Sequence, residues 1–317
     1  MITSYVISLK EPQTLFTTLS SHDLAPTWIE GVNAKTLKSR EITKNTTPLY
    51  SAFCPRVAVA IGMSHIRAWK AFLKTDEPHA IIMEDDVVLA DGFGGRLQET
   101  LQHLPADTDI LYLGCFGCHS PTNLFTAALS FCSNTHEQIN PFIDRPSVAM
   151  GTHAYLVTRA GAQRLLDSLE GRLFNHIDFC MQWLSGKGKL NTYVTSPRLA
   201  FQTSTDCGGK STNQTNMHPR LPTSLLADIY LDERVSASWM ATLTLLCLGP
   251  VHVTFFSVLF LLGGLLAAWK RTGILILTLV FAAMSLAEIV TWKGDPTAIL
   301  FHYGLLVAPS MVSKHLL

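Results

Sequence analysis

Ala80-Ile-Ile-Met-Glu-Asp-Asp-Val-Val-Leu89 decides how this chain is read. An apolar run delivers three adjacent carboxylates, Glu84, Asp85 and Asp86, and then turns apolar again. Carboxylates repel one another and resist burial, so three together at a strand end require a cation or solvent. A hard divalent ion, Mg²⁺ or Mn²⁺, held between such carboxylates and a phosphate meets that need. A solvated acidic turn is the plain alternative. The flanking Val and Ile residues aim the carboxylates from a rigid sheet edge, where open α/β sheets place their ligands.

Around this strand the pattern alternates. Tyr5-Val-Ile-Ser-Leu9 reads as a first strand, and residues 27–34 as a second that leads into a polar loop reaching about Ser51. Residues 57–73 read as a helix with Ile66, Trp69, Phe72 and Leu73 on one face. A helix is expected over 93–104, then a buried strand over 109–114 ended by glycine. Residues 115–147 read as irregular. A strand over 151–158 runs into a helix over 159–167, a further helix covers 175–184, and a last strand lies within 193–202. The expected fold is α/β: a mostly parallel Rossmann-like sheet flanked by helices.

Charge divides the chain. Of 24 acidic residues only Glu288 and Asp295 lie beyond Ser236, and of 24 basic ones only Lys270, Arg271, Lys293 and Lys314. The front is near neutral, with no basic stripe for nucleic acid. The back is apolar: Ser236–Trp269 carries no formal charge and Gly273–Trp292 only Glu288. Both runs exceed the ~18 residues of a spanning helix, while Thr297–Ser313 is shorter and holds His302 and Pro309. Three parts are therefore expected: a catalytic domain over 1–205, a flexible flap and linker over 206–235, and a membrane-embedded helical hairpin over 236–317. No secretory signal precedes the first strand, which places the front domain in the cytoplasm at a membrane, the inner membrane in a bacterium. Gly249-Pro250 leaves open a re-entrant path. An odd count of seven cysteines fits reduced thiols better than a disulfide framework.

The order of several pieces resembles glycosyltransferase family 25. They are YVISL at Tyr5, EGVNA at Glu30, MSHIRAW at Met63, IIMEDDV at Ile81 and LYLG at Leu111. GTHAYLVTRAGAQRLL at Gly151, HID at His176 and SPRLAFQ at Ser196 complete the series. The resemblance covers about residues 4–205. It implies a GT-A type fold, a nucleotide-sugar donor, usually UDP-galactose, and transfer with inversion. It also implies that Asp86 binds the cation with Glu84 and Asp85 in support, that all three line the donor site, and that Glu84 faces the nucleotide ribose. The loop after the first strand departs from the family's basic pattern, offering Lys10 and then Glu11.

Inversion needs a base opposite the leaving group. Asp178 matches a family position at an expected helix start and is the candidate, with Glu84 or Asp206 as substitutes; helix-dipole stabilisation alone is the competing account of Asp178. Ser64 and His65 are candidate donor contacts, and Lys210 stands in the flap. Gly151 and Thr152, at a turn permitting close backbone approach, are acceptor candidates with Tyr155 and Gln202. Tyr155 fits a core position equally, and His218 is a further conceivable metal ligand.

Two motifs mislead. Cys115-Phe-Gly-Cys118-His119 spells a haem attachment pattern, but covalent haem would require export. Gly208-Gly-Lys-Ser-Thr212 echoes a phosphate loop yet lacks its first glycine and a following helix. The expected function is metal-dependent transfer of a hexose, galactose from UDP-galactose, to a glycolipid or oligosaccharide, as in lipo-oligosaccharide or lipopolysaccharide assembly. An inactive membrane-tethered binding or assembly subunit is the alternative. A small transporter is the remaining rival, on thin material.

Overall fold

The computed structural model describes residues 1–119, 126–127, 129–203, 230–232, 235–236, 243–248, 251–269, 283–286 and 296–315. The chain divides into two units, Met1–Lys210 with Leu231–Arg234, and Ser211–Tyr230 with Val235–Leu317.

The first unit is built on an eight-stranded sheet. Its strands are β1 (Ile2–Ser8), β2 (Leu24–Glu30), β3 (His79–Glu84), β5 (Ile110–Phe116), β6 (Glu137–Asn140), β7 (Ile143–Arg145), β8 (Met150–Thr158) and β9 (Thr192–Thr195). They lie in the order β2-β1-β3-β8-β5-β9-β7-β6. Six of the eight point one way and only β8 and β7 are reversed, so the expected mostly parallel α/β sheet is present. A two-stranded ribbon, β4 (Val87–Leu89) with β10 (Ala200–Gln202), stands beside it.

Period-two alternation sorts each strand between the faces. Tyr5, Ile7, Ala80, Ile82, Tyr112, Tyr155 and Val157 form one core with Ile66, Trp69 and Phe72 of α4 (Arg56–Phe72). Helices α6 (Arg159–Leu169) and α7 (Ile177–Gly186) cover the same face. Val6, Ile81, Met83, Leu111, Leu113 and Leu156 form the opposite core. There they meet Leu19 of α1 (Gln13–Ser20) and Phe93 and Leu97 of α5 (Phe93–Gln102). Because Ile82 faces α4, Glu84 two residues on faces the same way.

Several expectations need correction. The polar loop before Ser51 holds two short helices, α2 (Ser39–Asn45) and α3 (Pro48–Phe53). The strand expected to end at Gly114 continues to Phe116. Gly114 is there for space: a Cβ would lie 2.1 Å from Ala200 O and 2.4 Å from His153 Nε2. The expected last strand is two, β9 and β10, and part of the supposedly irregular 115–147 stretch forms β6 and β7. Cys115 and Cys118 are joined in a disulfide rather than reduced. An odd total excludes only complete pairing; a turn through Gly117 at φ +75° sets two nearby cysteines 6.0 Å apart between Cα atoms, within disulfide reach. Cys54, Cys132, Cys180 and Cys247 are not disulfide-bonded.

The second unit departs most from expectation. Among the described residues no helix is long and apolar enough to cross a membrane. Within the charge-free run after Ser236, Thr244–Leu248 and Val251–Thr254 pair as antiparallel strands. The helix after them, Phe255–Trp269, has 15 residues. At about 1.5 Å per residue it spans roughly 22 Å, short of the ~30 Å hydrocarbon layer. It packs closely on Pro296–His315, where a Cβ at Gly264 would lie 2.5 Å from Leu306 O. The expected membrane-spanning hairpin is therefore unsupported. Most of Gly273–Trp292 and of the 206–235 flap lies outside the described residues.

Candidate active site

The acid triplet sits where β3 ends and the chain turns into β4. Asp85 is exposed, whereas Glu84 and Asp86 are half-buried. Ser8, last residue of β1, donates its hydroxyl to Asp85 Oδ2 at 2.5 Å, and Trp28 Nε1–H fixes the Ser8 carbonyl at 3.0 Å. The Asp86 carbonyl accepts from Thr203 N–H at 2.9 Å and from the Thr203 hydroxyl at 3.2 Å. Gln202 pairs with Val87 in the ribbon, which brings this residue beside the triplet.

Glu84 is the most constrained of the three. Its Oε1 accepts the Thr152 hydroxyl at 2.7 Å and faces His65 Nε2 at 3.4 Å. Burial alone would raise its pKa. The His65 and Thr152 donors and the nearby His153 outweigh that, so its carboxyl is held below the ordinary value. His65 Nδ1 meets the Tyr155 hydroxyl at 3.0 Å, and Trp69 Nε1–H donates to the same hydroxyl at 2.8 Å. Burial pushes the Tyr155 phenol well above its ordinary range, beyond what the Trp69 donor offsets.

Asp178 begins α7. Its Oδ1 accepts Phe179 N–H at 2.7 Å and its Oδ2 accepts Gly151 N–H at 3.3 Å. Gly151 has φ +91°, a conformation open to glycine, and a Cβ there would meet the Phe116 ring at 2.9 Å. Burial, with the Asp178 charge adding, raises the pKa of Tyr112, whose hydroxyl is buried beneath the site.

The structure thus gathers Glu84, Asp85, Asp86, His65, Gly151, Thr152, Tyr155 and Asp178 around the end of β3 and the start of β8. Two candidate contacts lie in the core, where the alternative reading of Tyr155 put it. His65 and Tyr155 are fully buried. Ser64, also buried, accepts Val32 N–H and donates to Ala60 O, both at 2.8 Å, which fastens the loop after β2 to α4. Lys210, Asp206 and His218 lie outside the described residues. Sequence reasoning did not single out Ser8, Trp28 or Tyr112; the only signal for Ser8 is its place at a strand's C-terminal end.

Asp85 opens on a groove of about 820 Å³ lined also by Glu11, Thr14, His22, Val88 and Asp91. The groove holds three carboxylates and no lysine or arginine. Among the described residues the one trio of His, Cys, Asp or Glu ligand atoms within 4.8 Å of one another is Cys115, Cys118 and His119. Two of its sulfurs are bonded to each other, so it offers neither the haem linkage nor a thiolate pair. The acid triplet does not converge as three.

Carboxylates gathered at one end of a mixed α/β sheet belong here to a glycosyltransferase, an enzyme with a sugar donor and an acceptor. The family model described as glycosyltransferase family 25 (LPS biosynthesis protein) matches residues 1–181, and the chain belongs to that family. The match includes the acid triplet, Gly151–Thr152 and Asp178. No curated protein matches the chain. Among solved structures, A197 from STIV is 13% identical with a TM-score of 0.34, the match covering 64% of this chain and 94% of that one. A mycobacterial protein is 12% identical with a TM-score of 0.32, covering 62% and 65%. Mouse xyloside xylosyltransferase 1, apo form, is 11% identical with a TM-score of 0.30, covering 61% and 71%. Likenesses this slight carry no functional argument.

Proposed function

We propose that the chain is a metal-dependent, inverting hexosyltransferase of GT-A type, moving galactose from UDP-galactose to a glycolipid or oligosaccharide hydroxyl. The observation that carries this reading is the acid triplet at the end of β3, whose Asp85 opens on a groove lined by carboxylates and lacking lysine and arginine. A diphosphate is repelled from such walls unless a divalent cation intervenes. The hard oxygen donors present suit Mn²⁺ or Mg²⁺, with Asp86 and Glu84 as the protein's ligands and phosphate and water completing the shell. When bound, that ion would neutralise charge gathering on the departing nucleotide.

The chain's own residues supply the rest. Asp85, seated by Ser8, fixes the floor of the donor groove. Glu84 stays ionised because Thr152 and His65 donate to it. Asp178 is oriented by Gly151 N–H and by its own helix start, and takes the acceptor hydroxyl's proton. Lys210 and Gln202 are proposed to contact donor and acceptor respectively. The apolar C-terminal residues hold the enzyme at the cytoplasmic face of a membrane, raising the effective concentration of lipid-linked acceptors. The leucine-rich side of Phe255–Trp269 supports this, since Leu262, Leu265 and Leu266 are each at least half exposed.

The test is a donor screen that measures nucleotide release with each common sugar nucleotide, with EDTA and with added Mn²⁺. Metal-dependent release from UDP-galactose is expected. Metal-independent release would overturn the role of the triplet, and no turnover with any donor would favour the inactive binding subunit.

A further inference from the structure

The His65 imidazole is completely buried, and it lies between two hydrogen bonds that run from the core to the site. Trp69 lies four residues along the same helix, on the same face. Its indole N–H, a donor with no acceptor capacity, points at the Tyr155 oxygen at 2.8 Å. The Tyr155 hydroxyl has one proton to give. Among the described residues its remaining partner is His65 Nδ1, at 3.0 Å. His65 Nδ1 therefore accepts, and the ring proton sits on Nε2, facing Glu84 Oε1 at 3.4 Å. The opposite tautomer would bury a phenol proton without an acceptor and set a nitrogen lone pair against a carboxylate. Thr152 donates to the same Oε1. Glu84 Oε2 receives no hydrogen bond among the described residues, and the Glu84 side chain is 20% exposed.

We propose that Trp69, Tyr155 and His65 form a one-way hydrogen-bond chain that locks His65 as the Nε2–H tautomer and turns Glu84 Oε2 toward the donor substrate. The inference rests on the place of Glu84 at the donor site, as a cation ligand, proposed above. The three are positioning residues: the chain sets an orientation, and no proton moves along it.

Nitrogen NMR of the full chain labelled at histidine reads the tautomer directly. A His65 ring carrying its proton at Nε2 is expected, and protonation at Nδ1 overturns the chain. Kinetics read its consequence. Tyr155→Phe keeps the ring and removes the link, so KM for UDP-galactose should rise about tenfold, the usual lower bound for losing such a supporting partner. The kcat should change less than about threefold. His65→Gln can place an N–H near the Nε2 position and should stay closer to the parent than His65→Asn. Mere loosening of the core would not order the two by donor position. If Glu84→Gln raises KM while Tyr155→Phe does not, the chain is overturned and the donor-site reading stands. If Glu84→Gln leaves KM unchanged, the donor-site reading falls and takes the chain's role with it.

Discussion

Glu84 and Asp178 are held by consecutive residues of one strand: the Thr152 hydroxyl donates to Glu84 at 2.7 Å and the Gly151 N–H donates to Asp178 at 3.3 Å. A donor-side carboxylate and a candidate base are thus held by one strand. Their separation is fixed by β8 and not by two independent loops.

Asp86→Ala tests the metal reading. The Asp86 carbonyl, not its side chain, anchors Thr203, so the variant should fold while transfer falls below detection. Melting temperature and nucleotide release measured together decide it. Parental turnover with Mn²⁺ would remove Asp86 from the metal site.

Asp178→Asn keeps one acceptor oxygen for the 2.7 Å bond from Phe179 N–H and gives up only the longer 3.3 Å bond from Gly151 N–H. We expect a normal fold with kcat reduced by ~10²–10⁴, the range for losing a general base. A loss smaller than tenfold in steady-state kinetics would pass the base role to another carboxylate.

Gly151→Ala forces a Cβ onto φ +91° and into the Phe116 ring. The expected cost is about 1–3 kcal/mol of stability, read by urea denaturation. Activity should fall with it, because the strained backbone displaces the N–H from which Asp178 accepts.

Acid stability should depend on Glu84. Its folded pKa lies below the ordinary 4.5, so its ionised form stabilises the fold above that value. The contribution is lost as pH falls through the lower folded value. Melting curves from pH 7 to pH 3 should show this loss in the parent and a shallower one in Glu84→Gln. Parallel curves would contradict the assignment.

The Cys115–Cys118 bond predicts a mass result. Denatured protein should take up two more alkyl groups after reduction than before. An equal count would show free thiols.

Much of this was legible because strands betray themselves by alternation. Tyr5, Ile82 and Tyr155 fall to one face and Val6, Ile81 and Leu156 to the other, and an acid triplet ending such a run has few structural uses. Period also found α4, within a residue of its ends. What stayed hidden depends on contacts distant in sequence. Ser8 matters only because β1 lies beside β3, and Ser64 and His65 look like surface groups until α4 is laid on the sheet. The end of β5 was misplaced because glycine reads as a stop, whereas Gly114 makes room for Ala200 and His153. The C-terminal run misled for a related reason: absence of charge marks apolar surroundings but does not choose between a hairpin and a helix.

The opening strand is flanked on both sides, by β2 and β3, and its last hydroxyl holds Asp85. Translation started at any codon downstream of Ser8 would yield a polypeptide missing an interior rung, not a shorter enzyme. Truncation is therefore expected to be all-or-nothing at this end.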